Sequence, residues 1–408
     1  MPVRGYPYWI ALPRAAASVL NTDLPVSVVT TDVSGGAAAE DSPTGRYRYV
    51  NEEHQMTQID GAKLEDFVGQ AVGDMAAAIS GLLLHVGDRL GLYRAMAGAG
   101  PVTPEVLAGR TGTAPRYVRE WLSNQAAGGY VRYRPADGTF ELPAEHAAVL
   151  ADEESPVFLG GAFEAIASCY FDHQRLVDAF RTGAGVGWEQ HDERLFSGVR
   201  RLFRPSYVAY LTSAWIPALD GVEAKLRAGA SVADVGCGLG ASTIIMAGAY
   251  PHSTFMGYDC HKPSVEAARK SAAEAAVNRR VRFETANAAD FPGRGFDLIC
   301  LFDCLHDMGD PVDAARHIRQ ALADDGTLLL VEPYADDALE ENLTPVGRAF
   351  YGFSTAVCTP ASLAQPGGLG LGAQAGETRL TEVLTEAGFS GVRRASQTPF
   401  NLILEAWP

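Results

Sequence analysis

Apolar residues between Leu64 and Leu92 recur at helical spacing: Leu64, Phe67, Val68, Ala71, Val72 and Met75, then Ile79, Leu82, Leu83, Val86 and Leu90. The stripe is wide, which predicts a buried helix, packed on the chain or on a second subunit. Gly91 and Pro101 break the pattern. Thr103–Pro104 starts a short helix, with Thr as N-cap and Pro in the first turn, and Gly109 to Gly112 ends it. Thr113–Ala114–Pro115 opens another, with Val118, Trp121 and Leu122 facing inward. Tyr130 to Tyr133, a turn at Asp137–Gly138, and Thr139 to Leu142 predict a two-stranded wing. Helix, turn, helix and hairpin in that order make a winged-helix pattern.

Residues 155–227 keep helical periodicity and are rich in aromatics. Phe158, Phe163, Ile166, Tyr170 and Phe171 form one predicted cluster, and Tyr207, Tyr210, Leu211 and Trp215 another, with a kink expected at Pro217. A Gly-rich turn between them carries Trp188 and His191. These helices are expected to connect domains and roof an apolar cavity. Trp188, His191, Tyr207 and Tyr210 are the candidates to touch a substrate there; plain core packing is the competing role for each.

From Ser231 the pattern turns to short apolar runs alternating with helices, as in a parallel α/β sheet. VADV is a strand, GCGLG a tight turn, and a helix follows. TFMGYD is a second strand, RVRFETA a third and FDLICLF a fourth. Ala314 to Leu322 is a crossover helix, and DDGTLLLVEP a turn and buried strand. TRLTEVLTEAGFSGVRR and NLILEAW close the chain as a helix capped at Gly388 and a final antiparallel pair. The variable stretch 335–376, with Tyr351, Phe353 and a run of glycines, is a candidate substrate-side wall.

Composition narrows the classes. Hydrophobic residues make up 47% and charged ones 20%, which excludes global disorder. A net charge of -16 argues against a large polybasic nucleic-acid surface. Within 101–134 five arginines face Glu105 and Glu120, a modest local excess. The six cysteines form no CxxC pair and no zinc spacing, so free thiols in a reducing cytoplasm and no metal site are expected. No uninterrupted run of 18 apolar residues occurs, so no membrane span is expected.

The chemistry sits at the strand ends. Gly236, Gly238 and Gly240 let the backbone turn sharply and approach a ligand, with Cys237 inside the turn. Asp259, nineteen residues on and followed by Cys260, can accept both ribose hydroxyls. Asp234 lies within the first strand, where it can hydrogen-bond the Gly-loop backbone or support an amino-acid group. Phe302 ends the fourth strand and Asp303, His306 and Asp307 lie just past it, where ligands bind in open α/β sheets.

Together these segments resemble class I S-adenosylmethionine-dependent methyltransferases over about 225–408. VADVGCGLG resembles the family's first motif, Asp259 its ribose-binding acid, and Asp290 with Phe291 the pair that reads and covers adenine. FDLICLFDCLHDMGDP resembles the segment beside the methionine end. Residues 70–150 resemble the winged-helix dimerisation domain of small-molecule O-methyltransferases and of a mycobacterial winged-helix methyltransferase group. The resemblance implies a Rossmann-like α/β fold of seven strands with an antiparallel last hairpin, and S-adenosyl-L-methionine as cofactor. It implies His306 as base for a hydroxyl acceptor, oriented by Glu332, Asp336 or Asp337. Met308 stands where the family often has tryptophan.

The organisation expected is a flexible extension (1–55), a winged-helix domain (56–150), a helical roof (151–227) and a catalytic domain (228–408). The expected activity is methyl transfer to an apolar small molecule by a cytoplasmic homodimer. A ligand-sensing regulator whose winged helix binds DNA is the alternative. A nicotinamide-dependent oxidoreductase is a further one, which the ADF and LHDMGDP segments fit poorly.

Overall fold

The computed structural model describes residues 48–50 and 56–408. The chain groups into two units, one running to Gly69 and one from Gln70 onward. Most of the extension expected over 1–55 lies outside the described residues. Its described part, β1 (Arg48–Val50), pairs antiparallel with β2 (Met56–Gln58) instead of standing free.

The helix Gly61–Arg89 corrects two expectations. Its apolar stripe is not buried in the chain: Phe67 is 65% and Met75 66% exposed, and Val68, Val72, Ile79 and Leu82 are exposed too. Only Ser80, Leu84, His85, Gly87 and Asp88 are buried. It is also long and apolar enough to cross a membrane, with a mean hydropathy of 1.5. Gln70 and Asp74 interrupt the apolar run without lowering its average much, which is why a search for unbroken runs misses it.

The winged-helix elements form as the sequence predicts. In Pro104–Thr111 the Thr103 hydroxyl accepts from Val106 N at 3.3 Å, and Gly112 closes the helix in the left-handed conformation. Pro115–Ala127 buries Val118, Trp121 and Leu122. β3 (Arg132–Arg134) and β4 (Thr139–Glu141) make the wing. Four of the five arginines here have carboxylate partners: Arg116 with Glu120, Arg119 with Glu105, Arg132 with Glu141 and Arg134 with Asp137, while Arg110 donates to Ala95 O. That pairing offsets most of the local positive excess a DNA backbone would need.

The catalytic half is one twisted sheet. β5 (Ser231–Val235), β6 (Thr254–Asp259), β7 (Val281–Thr285), β8 (Phe296–Phe302), β9 (Leu322–Pro333), β10 (Gly391–Gln397) and β11 (Asn401–Trp407) stand in the order β10-β11-β9-β8-β5-β6-β7. β5 to β9 pair in parallel, whereas β11 runs antiparallel to both β9 and β10. Alternate residues feed two cores. Val232, Phe255, Leu298, Leu329 and Ile403 pack toward the helices of 207–228. Ala233, Ile299, Leu301, Leu328 and Leu404 pack toward 311–321 and 376–386. From β5 the chain goes one way to β6 and β7, then returns to the other side for β8 and β9. The crevice at this reversal, outside the strand C-termini, is the natural ligand site of such a sheet.

Above it lie Gly160–Thr182, Arg194–Ser206 and the π-helical turn Tyr207–Trp215. Tyr170 and Phe171 face solvent rather than joining the predicted cluster, because they lie on the outer side of Gly160–Thr182. Pro217 sits in the last turn, Ile216–Ala218, of the continuous helical run that begins at Arg194, and the chain turns extended at Leu219, so Pro217 ends that run instead of kinking it.

Candidate active site

A cavity of about 550 Å³ opens at the C-terminal ends of β5, β6 and β8. The loop after β5 forms one side. Gly236 N and Cys237 N both donate to Tyr258 O, at 2.8 and 3.0 Å, which folds the turn against β6. Gly238 N donates to Asp259 Oδ2 and His261 N to Oδ1, each at 2.8 Å. The Asp259 carboxylate is thereby aimed, and burial raises its pKa. At Gly238, with φ near +51°, a Cβ would meet no atom within 4 Å, so bare backbone faces the cavity.

Most of the residues predicted for a nucleotide cofactor line this wall: Gly236, Cys237, Gly238, Asp259, Cys260, Asp290, Phe302 and Asp303. Three do not. Asp234 is buried beneath the loop, where its Oδ2 accepts from Ser242 Oγ at 2.6 Å and Thr243 Oγ1 at 2.5 Å. It holds the helix start rather than the Gly-loop backbone. Gly240 is required by packing, since a Cβ there would lie 2.7 Å from Phe283. Phe291 is core, stacked on Tyr258 with ring centroids 4.9 Å apart; Ala286, Asn287, Ala288 and Ala289 form the surface it was expected to supply.

The opposite wall is aromatic. Trp188 and Tyr207 line it as predicted, joined by Phe196, Val199, Arg200 and Phe203. These last four were missed, although 196, 199, 200, 203 and 207 share one helical face, a spacing legible in the sequence. Tyr210 and Tyr351 lie outside the wall, because their helices turn those side chains elsewhere. His191 is also outside it. Its Nδ1 lies 3.2 Å from Asp172 Oδ2, while its Nε2 is buried without a partner.

His306 is brought to the site but does not line the cavity. The short helical turn Leu305–Asp307 is pinned by Glu332: Oε1 accepts from Leu305 N at 2.9 Å, and Oε2 meets His306 Nδ1. Glu332 is therefore the orienting carboxylate among the three candidates. Asp336 and Asp337 are engaged instead with Tyr334 and Thr378. On its other side His306 Nε2 lies 3.2 Å from Asp307 Oδ1. Burial alone would lower the imidazole pKa, but the Glu332 and Asp307 charges outweigh it and hold it well above the usual value. Asp307, not His306, is the member of this group on the cavity wall. Cys358 also approaches, and the ligand-type atoms of His306, Asp307 and Cys358 lie within 4.8 Å of one another. Sequence spacing concealed this group, because Cys358 enters from a distant helix.

Asp303 completes the floor. It has φ near +51°, its N–H donates to Val331 O at 2.7 Å, and Tyr207 Oη and Asn401 Nδ2 each donate to its carboxylate at 3.0 Å. Burial, reinforced by Glu332, pushes its pKa up to about 8.

Residues 226–388 match a family described as a methyltransferase domain, and residues 77–152 one described as an Rv2258c-like winged HTH domain. An uncharacterised methyltransferase, YcgJ, of Bacillus subtilis is 35% identical over 130 residues, which is 31% of this chain and 50% of that protein. The 27-O-demethylrifamycin SV methyltransferase of Amycolatopsis mediterranei is 33% identical over 131 residues, 30% of this chain and 48% of that protein. The chain thus spans about half the length of these curated relatives. Among solved structures, mitomycin 7-O-methyltransferase MmcR superposes with a TM-score of 0.63 at 20% identity, covering 85% of this chain and all of that one. Human N-acetylserotonin methyltransferase, in complex with SAM, gives 0.59 at 18% identity, covering 83% and 97%. These likenesses show the fold. The chain combines an Rv2258c-like winged HTH domain with a methyltransferase domain.

Proposed function

We propose that this chain transfers the methyl group of S-adenosylmethionine to an apolar small molecule. The observation that carries the reading is the continuity of the cavity. One wall presents bare Gly-loop backbone, Asp259 and Asp290; the other presents Trp188, Phe203 and Tyr207, with Phe196 reaching over to stack on His261 near Asp259. The first set fits a nucleoside, with Asp259 for its sugar hydroxyls and the Gly236–Gly238 turn for its amino-acid end. S-adenosylmethionine bound there supplies an electrophilic methyl group.

The chain's own residues align the acceptor and exclude water. For a hydroxyl acceptor, the Glu332–His306–Asp307 group takes the proton. Its cavity-facing oxygen belongs to Asp307, and His306 acts from behind it rather than as the directly contacting base. The winged-helix domain is structural in this reading, and the exposed apolar face of Gly61–Arg89 is covered by a second copy of the chain. The matching of four arginines of the helix Pro115–Ala127 and the wing with carboxylates speaks against DNA.

Two measurements test this. S-adenosylhomocysteine should raise the melting temperature while NAD does not. Label should pass from methyl-labelled S-adenosylmethionine to members of a panel of apolar phenols and amines. Stabilisation by NAD alone would overturn the proposal. Light scattering should give twice the chain mass; a monomer, or binding of the helix to lipid vesicles, would overturn the dimer.

A further inference from the structure

We infer that Asp303 is the group by which the cavity distinguishes a positively charged donor sulfur from its neutral product, an inference that rests on the proposed methyl transfer.

Only Ala276 and Asp303 among the described non-glycine residues have positive φ. Side-chain-bearing residues enter that region at a cost, and such conformations persist where surrounding structure enforces them, often at functional sites. Here three elements do so. Val331 O in β9 accepts the Asp303 N–H. Tyr207, in the turn above, donates to Oδ2, and Asn401, at the start of β11, donates to Oδ1. An amide nitrogen can only donate, so Oδ1 is held as an acceptor. Tyr207 is itself fixed, its ring 5.2 Å from Phe302 and 6.1 Å from Trp215, and Asn401 is buried. The carboxylate is therefore aimed before any ligand arrives.

Among the described residues no basic side chain is paired with it: no Lys, Arg or His forms an ion pair with Asp303. The nearby charged groups are mostly of its own sign: Glu332 and Asp307 push its pKa up, while His306 pulls it down. Among the described residues Arg200 is the one basic side chain on the cavity wall. A buried carboxylate without a counter-charge is unfavourable unless a cation is delivered to it. Asp303 lines the same cavity as Gly236 and Cys304; a Cβ at Gly236 would meet Cys304, the residue after Asp303, and Tyr207 of the aromatic wall donates to the Asp303 carboxylate.

The donor and its product differ there by one methyl group and one positive charge. Both carry the same ammonium group, so a preference between them isolates the charge on sulfur. Part of the Asp303 population is protonated in the empty cavity near neutral pH; a cation that favours the carboxylate expels that proton to the buffer.

Calorimetry on the full chain tests this with S-adenosylmethionine, S-adenosylhomocysteine and sinefungin, which carries a protonated amine near the sulfur position. Asp303→Asn is the main variant. Asparagine tolerates positive φ, its carbonyl can still accept from Asn401, and its amide can donate to the Tyr207 oxygen, so the variant should fold. The wild type should prefer the two cationic ligands over S-adenosylhomocysteine. In Asp303→Asn that preference should shrink about tenfold, with S-adenosylhomocysteine affinity nearly unchanged. Titrations at pH 7 in buffers of different ionisation enthalpy should show more proton release with S-adenosylmethionine than with its product, and the excess should vanish in the variant. Tyr207→Phe keeps the charge and should keep the preference. Equal weakening of all three ligands would overturn the inference and leave the methyl-transfer reading standing. The same holds if Asp303→Asn leaves the preference unchanged, as a role toward an acceptor amine would. Failure of the wild type to bind any of them would overturn both.

Discussion

Glu332 holds His306 from behind: one carboxylate oxygen meets the ring Nδ1 while the other accepts from the backbone N–H of Leu305. A single side chain at the end of β9 thus fixes both the turn after β8 and the orientation of the histidine in it. Glu332→Gln should keep one acceptor for Leu305 but remove the charge that supports the imidazolium. Turnover should fall by about 10²-fold or more, and the pH–rate profile should move, because the imidazole pKa drops once the Glu332 charge is gone. A flat loss of rate with an unchanged profile would show that Glu332 only holds the turn.

Gly238 and Gly240 lie two residues apart and answer to different demands. Gly240→Ala would place a Cβ 2.7 Å from Phe283 and 3.0 Å from Ala268, at φ near +79°. It should lose about 1–3 kcal/mol of stability in denaturant titrations. Gly238→Ala meets no neighbour. It should weaken S-adenosylhomocysteine binding more than it lowers the melting temperature.

Asp259 accepts two backbone N–H groups and still faces the cavity. Asp259→Ala should lower S-adenosylhomocysteine affinity by tenfold or more, as expected for loss of hydrogen bonds to a charged group. Calorimetry reads this directly. Unchanged affinity would remove the ribose assignment.

Burial raises the Asp303 pKa from 3.8 to about 8. The folded chain therefore holds that proton more tightly than the unfolded chain. The stability contributed this way is complete below pH 3.8 and is lost as pH rises through about 8. Asp303→Asn cannot lose it. In urea titrations the variant should gain on the wild type between pH 5 and pH 8.5; a gap that stays constant would refute the raised pKa.

Met75 stands 66% exposed on the apolar face of Gly61–Arg89. Met75→Glu should leave the fold intact, because a surface change away from the core costs little. Light scattering should then report a shift toward single chains.

The sheet was readable because β5 to β9 are short apolar runs with turns and crossover helices between them, a pattern set by local chemistry. The Gly loop and Asp259 were readable for the same reason: glycine and a strand-end acid at fixed spacing have few other uses. Phe291 and His306 were harder. Both sit in motifs that name a position but not a direction, and packing decided the direction: Tyr258 drew Phe291 into the core, and Glu332 with Asp307 enclosed the imidazole. Tyr210 and Tyr351 failed likewise, since an aromatic in an amphipathic helix does not state which neighbour its face will meet. The apolar face of Gly61–Arg89 is left uncovered by this chain, because periodicity records an apolar face without recording what covers it.

β11 enters the sheet between β9 and β10, and its first residue, Asn401, grips Asp303. During synthesis, every other strand has left the ribosome before this one appears. The sheet must stay open along β9 until then, with a row of unpaired backbone groups beside an apolar surface. Folding of this half therefore closes only after residue 401 has emerged, and a nascent chain stalled before that point would carry a ligand cleft whose acid has lost the Asn401 contact.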